Sequence, residues 1–317
     1  MHPAEHQCDV AIIGAGPAGL AAGRARLERG RSIRLFDQGR GPGGRLSTRR
    51  AGTLRFDHGA RALDFPEGSE AATLERWRAR GAAARWSPRP GGDQAPREHW
   101  VGVPGMNAVV RAEAGELEPT FGSRITRLDR TPEGWALVDL EGTVACRAPE
   151  VVVAVPAPQA QALLEPTGFR HLDAIANVVL DPVWAFMFEG PDRSALGFDV
   201  LERPSPVIEY LEAQASKPGR AEDRAWVAHA TVAWSRAHLE DERESVEQVL
   251  GEEVARLLGH PVAPPWSAHR WRYGLVRTPA GAPCLRDESL GLVACGDWCL
   301  GPAVEHALAS GRAAGSG

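Results

Sequence analysis

Gly14, Gly16 and Gly19 stand at the spacing G-x-G-x-x-G, after the short apolar run Asp9 to Ile13 and just ahead of a stretch suited to a helix. That spacing in that setting serves one chemistry, the binding of a diphosphate. Gly14 permits the tight turn, Gly16 lets a pyrophosphate approach the backbone, and Gly19 allows helix and strand to pack closely. Pro17 is tolerated in the first helical turn, and the amide groups around Ala18 meet negative charge where the helix dipole favours it. Asp37, followed by Gln38, closes the next strand-like run, about where a carboxylate accepts ribose hydroxyls. Its charge would repel a 2′-phosphate, so the adenosine half of the ligand is expected to be unphosphorylated.

Two further segments separate FAD from NAD. Gly41-Pro42-Gly43-Gly44-Arg45 is a second glycine loop able to pass close to an extended dinucleotide, and Arg45 can offer paired donors to phosphate or to a flavin carbonyl. Gly296-Asp297, far along the chain, supplies a carboxylate suited to ribityl hydroxyls or to the region of the diphosphate. The helix expected after Gly301 would aim its positive end at a flavin pyrimidine, with Val304 among the cofactor residues. Taken together and in this order, the motifs predict a noncovalent FAD site.

These motifs need elements to hold them. Asp9 to Ile13 reads as a buried parallel strand, Pro17 to Gly30 as a helix, and Ser32 to Phe36 as a second strand, which completes a βαβ unit. A strand is expected at Leu54 to Asp57, a polar loop at Ser87 to Pro96, and a helix through Met106, Val109 and Val110. Arg124 to Leu140 reads as a hairpin turning at Pro132-Glu133-Gly134, and Val151 to Val155 as a mid-sheet strand. Farther on come strand-like runs at Val183 to Phe188, Val207 to Leu211 and Ala225 to Ala233. Val246, Val249, Leu250, Val254, Leu257 and Leu258 share one face of an amphipathic helix. Leu292 to Ala294 reads as the last strand. The fold class expected is α/β: a Rossmann-like FAD-binding domain of the glutathione-reductase type, with a second, mixed-sheet α+β substrate domain. The first would comprise residues 1–65, 100–165 and 285–317, and the second 66–99 and 166–284.

Composition narrows the function. A net charge of −5 argues against a nucleic-acid binder driven by bulk electrostatics. No apolar run is long enough to cross a bilayer, and the polar segment before Cys8 does not read as a signal peptide, so a cytoplasmic protein is expected. The five cysteines include no Cys-x-x-Cys pair and read as reduced thiols, Cys295 and Cys299 as two packed ones. No metal site is expected. Lys217 is the single lysine among 36 basic residues.

The runs Asp9 to Leu20, Phe36-Asp37, Gly41 to Arg45 and Phe56-Asp57-His58-Gly59-Ala60 resemble the renalase-like flavoproteins, relatives of the flavin amine oxidases. So do Trp100 to Met106, Val155 to Gln159, Ser216-Lys217-Pro218-Gly219-Arg220, His269 to Tyr273 and Gly296 to Cys299. The resemblance spans essentially the whole chain. It implies FAD held by both domains, with His58, Gly59 and Ala60 among the cofactor residues, and a substrate cavity roofed by a sheet. It also implies oxidation of non-standard dihydronicotinamides, hydride passing to flavin N5 and then to molecular oxygen to give hydrogen peroxide. Arg61, Ala62 and Leu63 stand where the family carries Gln-Tyr-Phe. Pro302, Ala303 and His306 depart from it as well.

Hydride transfer asks a protein for positioning and a dry pocket more than for acid–base groups. Trp298 is the first candidate for an aromatic wall, then Trp271 and Tyr273; each could equally be core. His58 and His229 could hydrogen-bond flavin or substrate, against a purely structural role. Lys217, in a Pro-Gly turn, reads first as a solvated loop lysine, although amine-oxidase relatives carry a lysine near N5. The substrate expected is a reduced pyridine nucleotide or an amine. Two alternatives stay open: another FAD-dependent amine oxidase or desaturase, and a flavin- or nucleotide-binding sensor without turnover.

Overall fold

Residues 7–65, 70–92, 94–221 and 224–317 are described by the computed structural model, so the leader reading before Cys8 and part of the polar loop fall outside the described residues. The chain divides into one unit of residues 1–44, 110–179 and 276–317 and another of 45–109 and 180–275.

The first unit is built on a six-stranded sheet in the order Leu285–Asp287, Leu292–Ala294, Glu150–Val153, Val10–Ile13, Ile33–Asp37, Thr120–Phe121. Val10 pairs in parallel with Ile33 on one side and Glu150 on the other, so the glycine-turn strand lies mid-sheet. Only the Leu285–Asp287 edge runs antiparallel to its neighbour. The central strands are apolar on both faces, as burial between covering layers requires. The expected hairpin forms as Ile125–Thr131 and Gly134–Asp139 and gains a third strand, Val144–Ala148, whose polar positions hid it. Helix Pro17–Leu27 packs against the last helix, Val304–Gly315. A Cβ on Gly311 would sit 2.1 Å from the Ala18 carbonyl oxygen, so the helices touch backbone to backbone. Arg26, buried beneath them, binds Glu150 and the carbonyls of Ala314 and Gly317.

The second unit carries a five-stranded sheet in the order Val200–Glu202, Ile208–Ala213, Ala225–Ala230, Val179–Glu189, Ser267–Thr278. Its described registers are antiparallel, and a parallel bridge joins Pro90 to Val200 at the edge. One face packs Phe186, Leu211, Trp226 and Ala228 on helix Arg243–Leu258. Strand alternation sends Tyr210, Glu212, Val227 and His229 to the other face. Two expectations are corrected. Val249 is exposed: of the six apolar residues expected on one face, the helix buries Val246, Leu250, Val254 and Leu258. The run Ala225 to Ala233 stops being a strand at Ala230: Thr231 accepts the Trp234 amide and starts helix Val232–Ala237.

The unit boundaries also differ from those expected. Residues 45–65 and 100–109 join the second unit because Asp57 is tied to Thr48, Met106, Gln214 and Arg220 there. Residues 276–284 join the first, where the Ala280 and Gly281 amides bond to Trp298 and Cys299. Gly311→Ala should push the two helices apart and cost about 1–3 kcal/mol. A denaturant titration reads this, and an unchanged midpoint would contradict the close packing.

Candidate functional site

In the first unit the glycine turn is strained and open where a diphosphate needs it. Gly14 has φ +109°, and a Cβ there would lie 2.5 Å from the Ala154 carbonyl oxygen. On Gly19 it would lie 1.8 Å from the Gly14 oxygen, whereas on Gly16 it would meet nothing within 4 Å. The open side of the turn is therefore at Gly16, ahead of the amides of Ala18 and Gly19. Gly44 belongs beside it: a Cβ on Gly44 would come 3.8 Å from Gly16 Cα. Asp37 clamps the turn, one carboxylate oxygen accepting the Ala15 amide and the other the Gly39 amide, both at 2.6 Å. A carboxylate has about four acceptor positions, so capacity for ribose hydroxyls remains. These features fit the ADP portion of FAD, with Pro17 opening the helix and Gln38 just past the strand.

The C-terminal motif differs from expectation in one member. Asp297 is buried and accepts the Trp298 amide at 2.9 Å. Trp298 is 1 % exposed, donates to the Val155 carbonyl at 3.0 Å and covers Gly296. It is a packed core side chain, so it offers no cavity wall. Helix Val304–Gly315 follows Gly301 as expected, and His306 acts on the residues just before it. His306 Nδ1 accepts the Ala303 amide at 3.2 Å while its ring fills the space over Gly301. Cys295 and Cys299 are packed thiols, both pushed up by burial, Cys299 to about 12.

The second unit joins three motifs that lie far apart in sequence. Arg45 accepts the Ala60 amide on its carbonyl at 2.8 Å, and a Cβ on Gly59 would be 1.9 Å from that oxygen. The Arg45 guanidinium donates to the carbonyls of Tyr273 and Gly274, both at 3.3 Å. Arg45, Gly59, Ala60 and Tyr273 thus form one backbone-stitched group. Beside them the His58 carbonyl accepts from Trp271 Nε1 at 2.7 Å and from His229 Nε2 at 3.2 Å. The His58 ring stacks on Trp271 and meets His269 edge-on. With Nε2 protonated, His229 presents a bare Nδ1 that is buried without a hydrogen-bond partner. Burial, with His269 adding repulsion, pushes His58 down to about 3; burial lowers His229 and His269 too. All three rings are neutral at physiological pH.

Lys217 overturns its reading as a solvated loop residue. It is 2 % exposed, with Nζ 2.6 Å from Glu212, 3.7 Å from Asp57 and 5.1 Å from the Trp86 ring centre. Arg220 binds Asp57, and Arg61 reaches Glu212 at 3.3 Å while lying 4.4 Å over the Tyr210 ring. Burial pushes Asp57 and Glu212 up, but Lys217, with Arg220 at Asp57 and Arg61 at Glu212, reverses this and holds both below the usual carboxylate range. Sequence reasoning passed over Glu212, His269, Trp86 and Tyr210. The one signal for Glu212 was its position two residues from Tyr210, on the same face of the strand.

A strand–glycine turn–helix with an acidic clamp, mid-sheet in a Rossmann-like unit, together with a second sheet unit, defines a dinucleotide-binding flavoprotein. The comparisons agree. Residues 12–74 match the NAD(P)-binding Rossmann-like domain, and residues 61–315 match the flavin containing amine oxidoreductase family. The chain belongs to that family and is an FAD-dependent oxidoreductase. Among solved structures, one assigned as a protoporphyrinogen oxidase from Exiguobacterium sp. is similar at TM-score 0.73 and 13 % identity, covering 97 % of both chains. A double mutant of putrescine oxidase redesigned in cofactor binding gives TM-score 0.75 at 15 % identity, over 98 % of this chain and 99 % of that one. Wild-type putrescine oxidase bound to putrescine gives 0.70 at 15 %, over 98 % of each. At these identities the likeness is one of fold.

Two predictions follow from the buried charges. Glu212→Gln leaves Lys217 short of its nearest counter-charge and should cost about 3–5 kcal/mol, and Glu212→Leu with Lys217→Met should recover much of it. Urea titration of the single and double variants checks this. The histidines, lowered from 6.5, give stability that is whole above about pH 6.5 and lost as pH falls below it, for His58 as far as about 3. Each contributes a slope of roughly 1.4 kcal/mol per pH unit inside its window. The urea midpoint should therefore drop between pH 7 and pH 5, and drop less in His58→Phe.

Proposed function

We propose that this flavoenzyme oxidises a non-standard dihydronicotinamide, 2- or 6-dihydro-NAD(P), with molecular oxygen as acceptor. The balance is dihydronicotinamide, oxygen and one proton giving the pyridinium nucleotide and hydrogen peroxide. FAD supplies the two-electron acceptor that oxygen restores. We assign its ADP portion to Gly14, Gly16, Pro17, Ala18, Gly19, Asp37, Gln38 and Gly44. To its ribityl and flavin part we assign Gly296, Asp297 and Val304, and also Arg45, His58, Gly59 and Ala60. The binding is noncovalent.

The observation that carries the substrate reading is the character of the His58–His229–Trp271 group. Three histidines held neutral, with the His58 ring stacked on the Trp271 indole, give a weakly polar environment suited to an uncharged dihydropyridine ring. Trp271 and His229 both grip the His58 carbonyl, which fixes the ring positions. Lys217 is committed to Glu212, so its role is to position the Glu212 strand. Tyr273 acts through its backbone on Arg45. Hydride loss from such a donor needs no base, in agreement with a site whose ionised groups are mutually paired.

The family's name favours a second reading, an amine substrate. Anaerobic mixing with 6-dihydro-NAD and, separately, with putrescine distinguishes the two. Bleaching of the flavin by the dihydronicotinamide is expected; bleaching by the amine alone would replace this reading with the second. Acid precipitation should leave the flavin in the supernatant, and a yellow pellet would show a covalent bond.

A further inference from the structure

Cys8 stands two residues before strand Val10–Ile13, and Cys146 lies in Val144–Ala148, the third strand of the hairpin sheet, in the same unit. Backbone pairing fixes them side by side. Gln7 bridges Arg147 in parallel, and the Cys8 amide donates to the Arg147 carbonyl at 3.3 Å. The two sulfurs are 3.5 Å apart and hydrogen-bonded, as free thiols. A disulfide needs about 2.05 Å, so the two sulfurs have roughly 1.5 Å to close. Cys8 is half-buried and open to a small oxidant, whereas Cys146 is buried behind it.

The chemistry of the pair is graded. The hydrogen bond from Cys146 lowers Cys8 despite its burial, with Arg34 assisting, and Cys146 is raised in turn. The other three thiols, Cys284, Cys295 and Cys299, are all pushed up by burial. Cys8 is thus the one cysteine of the five that combines a lowered thiol, partial exposure and a resolving thiol in contact.

We propose that Cys8 and Cys146 are a peroxide-oxidised dithiol, a modification site that locks the sheet carrying the glycine turn. The Cys8 thiolate attacks one peroxide oxygen, breaking the O–O bond to give a sulfenic acid and hydroxide. The Cys146 sulfur then attacks the Cys8 sulfur, and the sulfenic oxygen leaves with the remaining thiol proton as water. In total two thiols and one hydrogen peroxide give one disulfide and two waters. The bond closes a loop of 138 residues and ties the entry of Val10–Ile13 to the hairpin. That strand runs directly into Gly14, so the lock bears on the diphosphate turn. Only the source of peroxide rests on the oxidase reading above; an enzyme that releases peroxide would then tighten its own cofactor unit.

Holoenzyme treated with a few equivalents of hydrogen peroxide should lose two of its five titratable thiols and two hydrogen atoms of mass. A non-reduced digest should yield one peptide pair joining residues 8 and 146, reversed by dithiothreitol. The oxidised protein should melt about 5 °C higher. Cys8→Ser should keep its four remaining thiols; the wild-type digest stands alone if that variant fails to fold. Oxidation that stops at an oxygen adduct on Cys8, a link among the other three cysteines, or an unchanged thiol count would each overturn the proposal. Added peroxide tests the dithiol whatever the substrate is, so its failure and a failure of the dihydronicotinamide reading are separable.

Discussion

The second unit depends on taking two carboxylates out of water. Asp57 and Glu212 are fully buried, and each remains ionised only because cations share the space: Lys217 beside both, Arg220 on Asp57, Arg61 on Glu212. Such a cluster is poor value as raw stability, since desolvation consumes most of the attraction. What it provides is position. Asp57 also takes the Thr48 hydroxyl and the Met106 amide, and its own amide donates to Gln214, so one residue anchors three distant segments. His58, Gly59 and Ala60 follow it directly, and their placement is inherited from that anchor.

Within the first unit the governing constraint is steric. Backbone meets backbone at Gly14, Gly19 and Gly311, which brings the first and last helices onto the sheet without intervening side chains. Asp37 adds a polar clamp across the same turn. The site proposed for the diphosphate therefore offers main-chain amides held by contacts that tolerate no added methyl group, and the residue proposed to meet the ribose is one charged side chain already fixed for structural reasons.

Local patterns were legible in the sequence where a single element carries the signal. The glycine turn, Asp37, the mid-sheet run ending near Val155, the strand Leu292–Ala294 and the start of the last helix all emerged from spacing and periodicity. Strands with polar alternation, such as Val144–Ala148 and Ser267–Thr278, did not, because their inner faces line sites or hairpins. The charge state of a residue was less visible still. Lys217 in Ser-Lys-Pro-Gly-Arg looks like a surface turn; only the strand register that brings Glu212 beneath it makes it internal. For Trp298 the sequence left wall and core open; the structure makes it core, its indole spent on the Val155 carbonyl.

The burial of Lys217 has a practical consequence. Because it is the chain's single lysine, the folded protein presents no side-chain ammonium to amine-directed reagents. Acylation at that position can proceed only through an opening of the second unit that breaks its pairing with Glu212. The rate of such labelling is therefore a site-resolved clock for local opening, built into the native sequence with no probe introduced.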